Sequence, residues 1–221
     1  HTTSSAASDV YKRQIIHIPM ELPWSSPGFV NVYFIEDKDG YVMIDCGVNG
    51  IEYQELLESK MKSFGLSYQN VKLLIGTHMH SDHIGLSSTL REKDIPFALY
   101  KNSVDFIDSY NDWSIRFKKL KEFAKREGAP ESFLNDLDEM VTPIYAGKIS
   151  KPDVLLDEGN IKNVNRNIEI IFTPGHDKTE ISILDNPSQI LFSGDHILPK
   201  ITPFIPSCLL YTSPSPRDGI G

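Results

Sequence analysis

The hydrophobic pattern changes its period several times along the chain, and each change marks an element. Residues 15–18 form a short apolar run with His17 inside it, followed by the turn-rich stretch 21–28. Residues 29–35 alternate and are rich in β-branched and aromatic side chains. Residues 37–40 carry turn chemistry, and 41–44 resume the apolar character. Two such runs around a short polar turn predict a β-hairpin. Over 51–64 the period lengthens: Tyr53, Leu56, Leu57, Met61 and Phe64 fall at helical spacing, and Gly65 stands where a C-terminal cap belongs. Residues 71–75 (VKLLI) read as a buried strand, 83–91 as a helix and 96–100 as another short strand.

From 102 to 140 the chain reads as helical and amphipathic. Trp113, Phe117, Leu120 and Ala124 share one face, while Lys118, Lys119, Lys121, Lys125 and Arg126 spread over the other, the pattern of a solvated helix surface. Gly128 stops this helix and Pro130 opens the next, with Phe133, Leu134 and Leu137 predicted to face inward. Strands return at 154–156, 168–173, 181–184 and 189–192. Strands and helices in this order predict a layered α/β domain.

Composition alters the picture at the ends. Residues 4–14 (SSAASDVYKRQ) and 208–218 (CLLYTSPSPRD) read as translated ends of sequencing-library adapters. Segments 1–14 and 208–221 are therefore set aside as non-native. The expected domain is 15–207, incomplete, with a helical insertion over about 102–140. The whole chain holds 22 Lys and Arg against 30 Asp and Glu. Without Lys12, Arg13, Arg217, Asp9 and Asp218 the balance is 19 against 28, a net charge of −9. That acidity argues against a nucleic-acid partner, whose phosphates are bound through Lys and Arg. Cys208 falls in the second adapter-like stretch, so Cys46 is the sole remaining cysteine. It reads as a small buried hydrophobe and excludes a disulfide framework within 15–207, in keeping with a cytoplasmic setting. No apolar run approaches the length of about 20 residues that a membrane span requires.

The chemistry concentrates in residues 77–85, THMHSDHIG, directly after the strand at 71–75. Imidazole nitrogens and carboxylate oxygens are the ligands of Zn²⁺ and similar ions. In an extended segment His78 and His80 share a face, so one ion can take both. Asp82 and His83 follow as the chain turns into a helix, which suggests a second adjacent metal. His176 and Asp195 each follow a strand and a glycine, as Pro174-Gly175-His176 and Gly194-Asp195-His196. Asp45 closes the strand at 41–44, where it reads as a strand-end turn residue.

With residues 44–47 (IDCG), 78–83 (HMHSDH), 173–176 (TPGH) and 193–195 (SGD) in order, the chain resembles the metallo-β-lactamase superfamily. The resemblance implies a four-layer αββα sandwich, here C-terminally truncated, and a metal-dependent hydrolase. It places His78, His80 and His176 on a first zinc, Asp82 and His83 on a second, and Asp195 between the two. Iron or manganese would suit the same ligands. It further implies a zinc-bound hydroxide as nucleophile, oriented by Asp82, with Asp45 supporting the ligands from behind; His196, adjacent to Asp195, is the one late candidate ligand and reads rather as turned away or supporting. A further histidine that the family carries well after its Gly-Asp motif has no counterpart here. The resemblance therefore implies a weakened second metal position and exposed apolar surface. Residues 177–180 (DKTE) replace what are usually small residues. His83 together with Asp195 resembles the glyoxalase II and lactonase branch, with a small ester, thioester or lactone as substrate. True zinc β-lactamases often carry a cysteine where Asp195 stands, and flavodiiron proteins a glutamate where His80 stands. The alternatives are a mononuclear iron dioxygenase of the persulfide type and a phosphodiesterase or nuclease.

Overall fold

Apolar side chains facing both ways along one strand require a layer on each side of it, and that requirement shapes this molecule. The computed structural model describes residues 15–25, 27–140, 145–162, 164–199 and 202–203. Both adapter-like stretches lie outside the described residues. Six strands form one sheet in chain order: β1 (Ile15–Glu21), β2 (Phe29–Asp37), β3 (Gly40–Ile44), β4 (Val71–Ile75), β5 (Phe97–Tyr100) and β6 (Val154–Leu156). The first three pair antiparallel, as the hairpin signal predicts, and β3 to β6 run parallel. A second, antiparallel sheet has the order β10-β9-β8-β7, from β7 (Gly159–Asn160), β8 (Ile168–Phe172), β9 (Ile181–Asp185) and β10 (Ile190–Phe192). The two-residue β7 carries no sequence period long enough to reveal it. Pro19 sits in β1, an edge strand, where a missing amide donor is tolerated.

Two hydrophobic cores account for the layering. Ile44, Ile75 and Ala98 of the first sheet pack with Ile168, Ile170, Ile181 and Ile183 of the second. On the other face Phe34, Met43, Leu74 and Phe97 pack against helices α1 (Ile51–Ser63), through Leu57 and Met61, and α4 (Val104–Asn111), through Ile107 and Tyr110. Strands β4 and β5 are thus covered on both faces, which is why VKLLI and FALY read as near-continuous apolar runs rather than alternations. The result is a mixed α/β sandwich. No helix follows β6 among the described residues. No described helix is long and apolar enough to cross a membrane.

Several expectations are corrected here. The helix expected over 83–91 is two pieces, α2 (Ser81–Ile84) and α3 (Ser87–Arg91). At Gly85 between them a Cβ would come within 2.3 Å of the Asn49 amide nitrogen and 2.5 Å of the Ser81 carbonyl oxygen. The chain is pressed there against the loop after β3, where the Cys46 amide donates to the His83 carbonyl at 2.6 Å. Phe64, expected inward, is exposed just past the end of α1, and Gly65 takes φ 74° as a cap requires. The segment 102–140 is helical as expected, with α5 (Trp113–Arg126) and α6 (Glu131–Met140) following α4. Leu120 and Phe133 are exposed, however, because these two helices share only a small contact around Ala124 and Leu134.

The second sheet is fastened to the first by buried charge as well as by packing. Asp37 at the end of β2 accepts the Lys72 ammonium at 3.0 Å and the Arg166 amide at 2.8 Å. The Arg166 guanidinium grips Asp185 of β9 at 2.6 and 2.7 Å. Burial works against the Asp37 carboxylate, but the Lys72 ammonium and the amides around it outweigh that and hold its pKa down at about 2.

Candidate metal centre

The site forms where β3 and β4, two parallel neighbours, end at their carboxyl ends, the usual place for site residues in such sheets. Leaving β4, the chain passes Gly76, where a Cβ would stand 2.6 Å from Ile84 and 2.8 Å from Leu99. This close packing turns the next residues directly over the sheet edge. Thr77 then binds both sheets: its amide and hydroxyl donate to Asp45 at 2.8 and 2.9 Å, and its carbonyl accepts the Ile181 amide at 2.9 Å.

Three imidazoles meet at one point. His78 Nε2 lies 3.0 Å from His80 Nδ1, and His176 Nε2 lies 2.8 Å from the same atom. His176 arrives from the loop after β8, and Asp195 from the turn after β10. The Asp195 carboxylate faces both ways, with Oδ1 at 3.4 Å from His83 Nε2 and Oδ2 at 3.4 Å from His176 Nε2. Two donor groups therefore share this corner: His78, His80 and His176, and His78, His83 and Asp195, the atoms of each within 4.8 Å of one another.

Asp45 settles which ring nitrogen of two histidines carries the proton. Its Oδ2 accepts from His83 Nδ1 at 2.7 Å. The Thr77 hydroxyl gives its one proton to the same carboxylate, so at 3.0 Å it accepts from His78 Nδ1. His78 then turns Nε2 toward the site as a lone pair, the form a metal binds, while His83 turns Nε2 toward Asp195, where a metal would take the place of its second proton. Asp45 itself holds a left-handed backbone, φ 58°, and is buried. It thus combines a turn at the strand end with hydrogen bonds to Thr77 and His83.

Electrostatics differs across the corner. Burial, then the neighbouring imidazoles His83, His80 and His176, push His78 well below the ordinary imidazole pKa. Burial and His176 lower His80 to about 4. At His83 burial acts the same way, but Asp45 and Asp82 outweigh it and raise the ring well above its ordinary value. Burial would raise the Asp195 carboxyl, yet its hydrogen bond to His83 and the surrounding imidazoles bring it below. Glu180, fully buried beside them, is pushed up to about 8, chiefly by burial.

Two expected residues stand apart from the donor groups. Asp82 lines the cavity, but its Oδ2 is 3.7 Å from His83 Nε2 and it joins neither triad. Consecutive residues on a helical turn diverge by about 100°, so His83 and Asp82 aim differently. His196 lies outside both triads and outside the cavity lining; its amide closes a turn onto the Ser193 carbonyl at 3.0 Å. His17, read as a strand histidine, bonds Asn31 at 2.7 Å in the β1–β2 pair. Thr77 and Glu180 were not read as site residues. The only signals for them are a threonine directly before His78 and a lone carboxylate directly before the buried β9.

Side-chain chemistry and spacing both suit a metal ion. Two ligand atoms on a tetrahedral zinc with bonds of about 2.0–2.1 Å are separated by about 3.3 Å. The imidazole nitrogens lie at 2.8 and 3.0 Å, so only a small opening is needed. A family model for the metallo-beta-lactamase superfamily matches residues 25–218. The chain belongs to that superfamily. Its relatives include "Probable metallo-hydrolase YflN" of Bacillus subtilis (strain 168), 24% identical over 76% of this chain and 61% of the relative. "Hydroxyacylglutathione hydrolase GloC" of Haemophilus influenzae is 25% identical over 72% of this chain and 62% of its own. The crystal structure of metallo-beta-lactamase family protein TTHA1429 from Thermus thermophilus shares the fold, with a TM-score of 0.70 at 21% identity, over 87% of this chain and 62% of that one. The chain thus spans about three-fifths of the length of these superfamily members.

Proposed function

We propose that this chain acts as a zinc-dependent hydrolase of a small ester, thioester or lactone. The observation that carries the reading is a pair of donor triads that share His78, with Asp195 between His83 and His176, beside a cavity of about 470 Å³. His78, His80 and His176 would hold one ion; His83 and Asp195, with Asp82 nearby, would hold the second. Bound there, zinc supplies an acidified water and a Lewis acid for the carbonyl oxygen under attack.

The chain's own groups do the rest. Asp45 and Thr77 hold Nδ1 of His83 and of His78, which aims Nε2 of each ring inward. Asp82, which lines the cavity, would accept a proton and orient the attacking water. The apolar lining residues Phe29, Val30, Leu191 and Ile197 would seat the apolar part of an acyl group and keep bulk water from it. A thioester or other acyl substrate is supported by the likeness to a hydroxyacylglutathione hydrolase. The acidic net charge favours a small molecule over nucleic acid as partner, and the buried free Cys46 suits the cytoplasm.

The test is turnover of a thioester, ester and lactone panel by the zinc-loaded chain. At least one class should be hydrolysed, with activity lost on chelation and in His80→Ala. Zinc uptake without turnover of any class would refute the hydrolase reading, as would one iron per chain with thiol-dependent oxygen consumption.

A further inference from the structure

Among the described residues, Glu180 is the one fully buried acidic side chain beside the centre that the proposed reaction leaves without a task. Its backbone closes the loop that carries His176: the Thr173 amide donates to the Glu180 carbonyl at 3.0 Å. Its side chain turns the other way. Oε1 accepts the Asp195 amide at 2.8 Å and stands 3.9 Å from His78 Nδ1, while Oε2 has no hydrogen-bond partner among the described residues. A buried carboxyl half-used in this manner is costly to a fold unless it serves something.

Its contacts show what it serves. The amide it accepts belongs to no strand or helix but to the turn after β10. That turn starts at Gly194, with φ 54°, where a Cβ would lie 3.0 Å from Glu180 Oε1 and 3.1 Å from Thr77. The next residue, Ile181, donates its amide to the Thr77 carbonyl. Glu180 and Ile181 therefore join the loop of His78 and His80, from the first sheet, to the turn of Asp195, from the second.

We propose that Glu180 is a positioning residue for the metal centre: by accepting the Asp195 amide it fixes where the Asp195 carboxylate stands between His83 and His176. The inference rests on the reading of this corner as a two-metal site. An acceptor oxygen is the feature required, so glutamine preserves the function and methionine, of similar shape without an acceptor, removes it.

The experiment uses the full chain, with Glu180→Gln and Glu180→Met. Amide hydrogen exchange at Asp195 is followed in metal-free protein, and cobalt(II) is titrated with its visible absorption bands as the reading of coordination geometry. E180M should exchange the Asp195 amide at least about tenfold faster and bind the second cobalt equivalent about 10–100-fold more weakly, with altered bands and the first equivalent unchanged. E180Q should keep the protection and both affinities to within about threefold. The proposal is overturned if E180M matches the parent, if E180Q fails as E180M does, or if both equivalents weaken together alongside the melting temperature. A parent chain that binds no cobalt overturns the metal reading and this inference with it. Failure of the inference alone shows instead as two tight equivalents in both parent and E180M.

Discussion

Asp45→Asn tests the electrostatic logic of the centre most directly. Asparagine tolerates the left-handed backbone that Asp45 adopts, so the substitution removes a carboxylate without adding strain. Its one carbonyl oxygen can still accept the Thr77 amide, now at 2.8 Å. Its NH₂ would then face His83 Nδ1, which donates to the carboxylate at 2.7 Å. That contact survives only if His83 gives up its Nδ1 proton and keeps the one on Nε2, the atom that faces Asp195. One charge-assisted hydrogen bond in a pair with side chains only 5% and 4% exposed is lost, which costs about 1.5–3 kcal/mol. In a chain of this size that lowers the melting temperature by about 4–10 °C. Zinc affinity, now requiring a tautomer the surroundings oppose, should fall about 10–100-fold. Competition against a chromophoric chelator reads the affinity, and calorimetry of metal-free protein reads the stability. Unchanged zinc binding in D45N would refute the claim that this carboxylate sets the tautomers.

The charged fastening between the sheets yields two more predictions. Asp37 is held at about 2 against an ordinary 3.8, so it stabilises the folded state above its unfolded pKa and that contribution is lost as pH falls from about 4 through about 2. D37N should cost about 2 kcal/mol at neutral pH and flatten the acid limb of stability there, and a denaturation series from pH 5 to about 2 checks both; an acid limb unchanged in D37N would count against the assignment. Arg166→Ala strands Asp185, fully buried, and should destabilise by about 3–5 kcal/mol. A thermal melt should drop by on the order of 10 °C, whereas an unmoved melt would show that the bidentate grip contributes little.

Much of the fold was legible before any coordinates. The β2–β3 hairpin, the apolar strands β4 and β5 and the helical stretch after β5 all follow from periods and turn residues. What failed was the direction of particular side chains. The helical period puts Phe64, Leu120 and Phe133 on apolar faces, but a period names a face without naming what covers it. The break at Gly85 was invisible for a related reason, since it comes from the approach of residues 48–49 to the helix. At the site, the sequence marks Glu180 only as part of 177–180, a stretch that replaces the family's usual small residues. Its significance depends on the amide of Asp195, fifteen positions on, which no local pattern connects to it.

The sequence alone determined the kind of chemistry available: three histidines and an aspartate within residues 78–83, then His176 and Asp195 after strand ends. Ligand identity is a property of side chains, and spacing along one short segment constrains its geometry. Only the tertiary structure decided that His176 reaches His80 across 96 positions, and that one carboxylate, Asp195, faces both donor groups. Those meetings depend on two sheets closing over a shared apolar core. A packing event of that kind brings together residues whose separation in the chain carries no information about their distance.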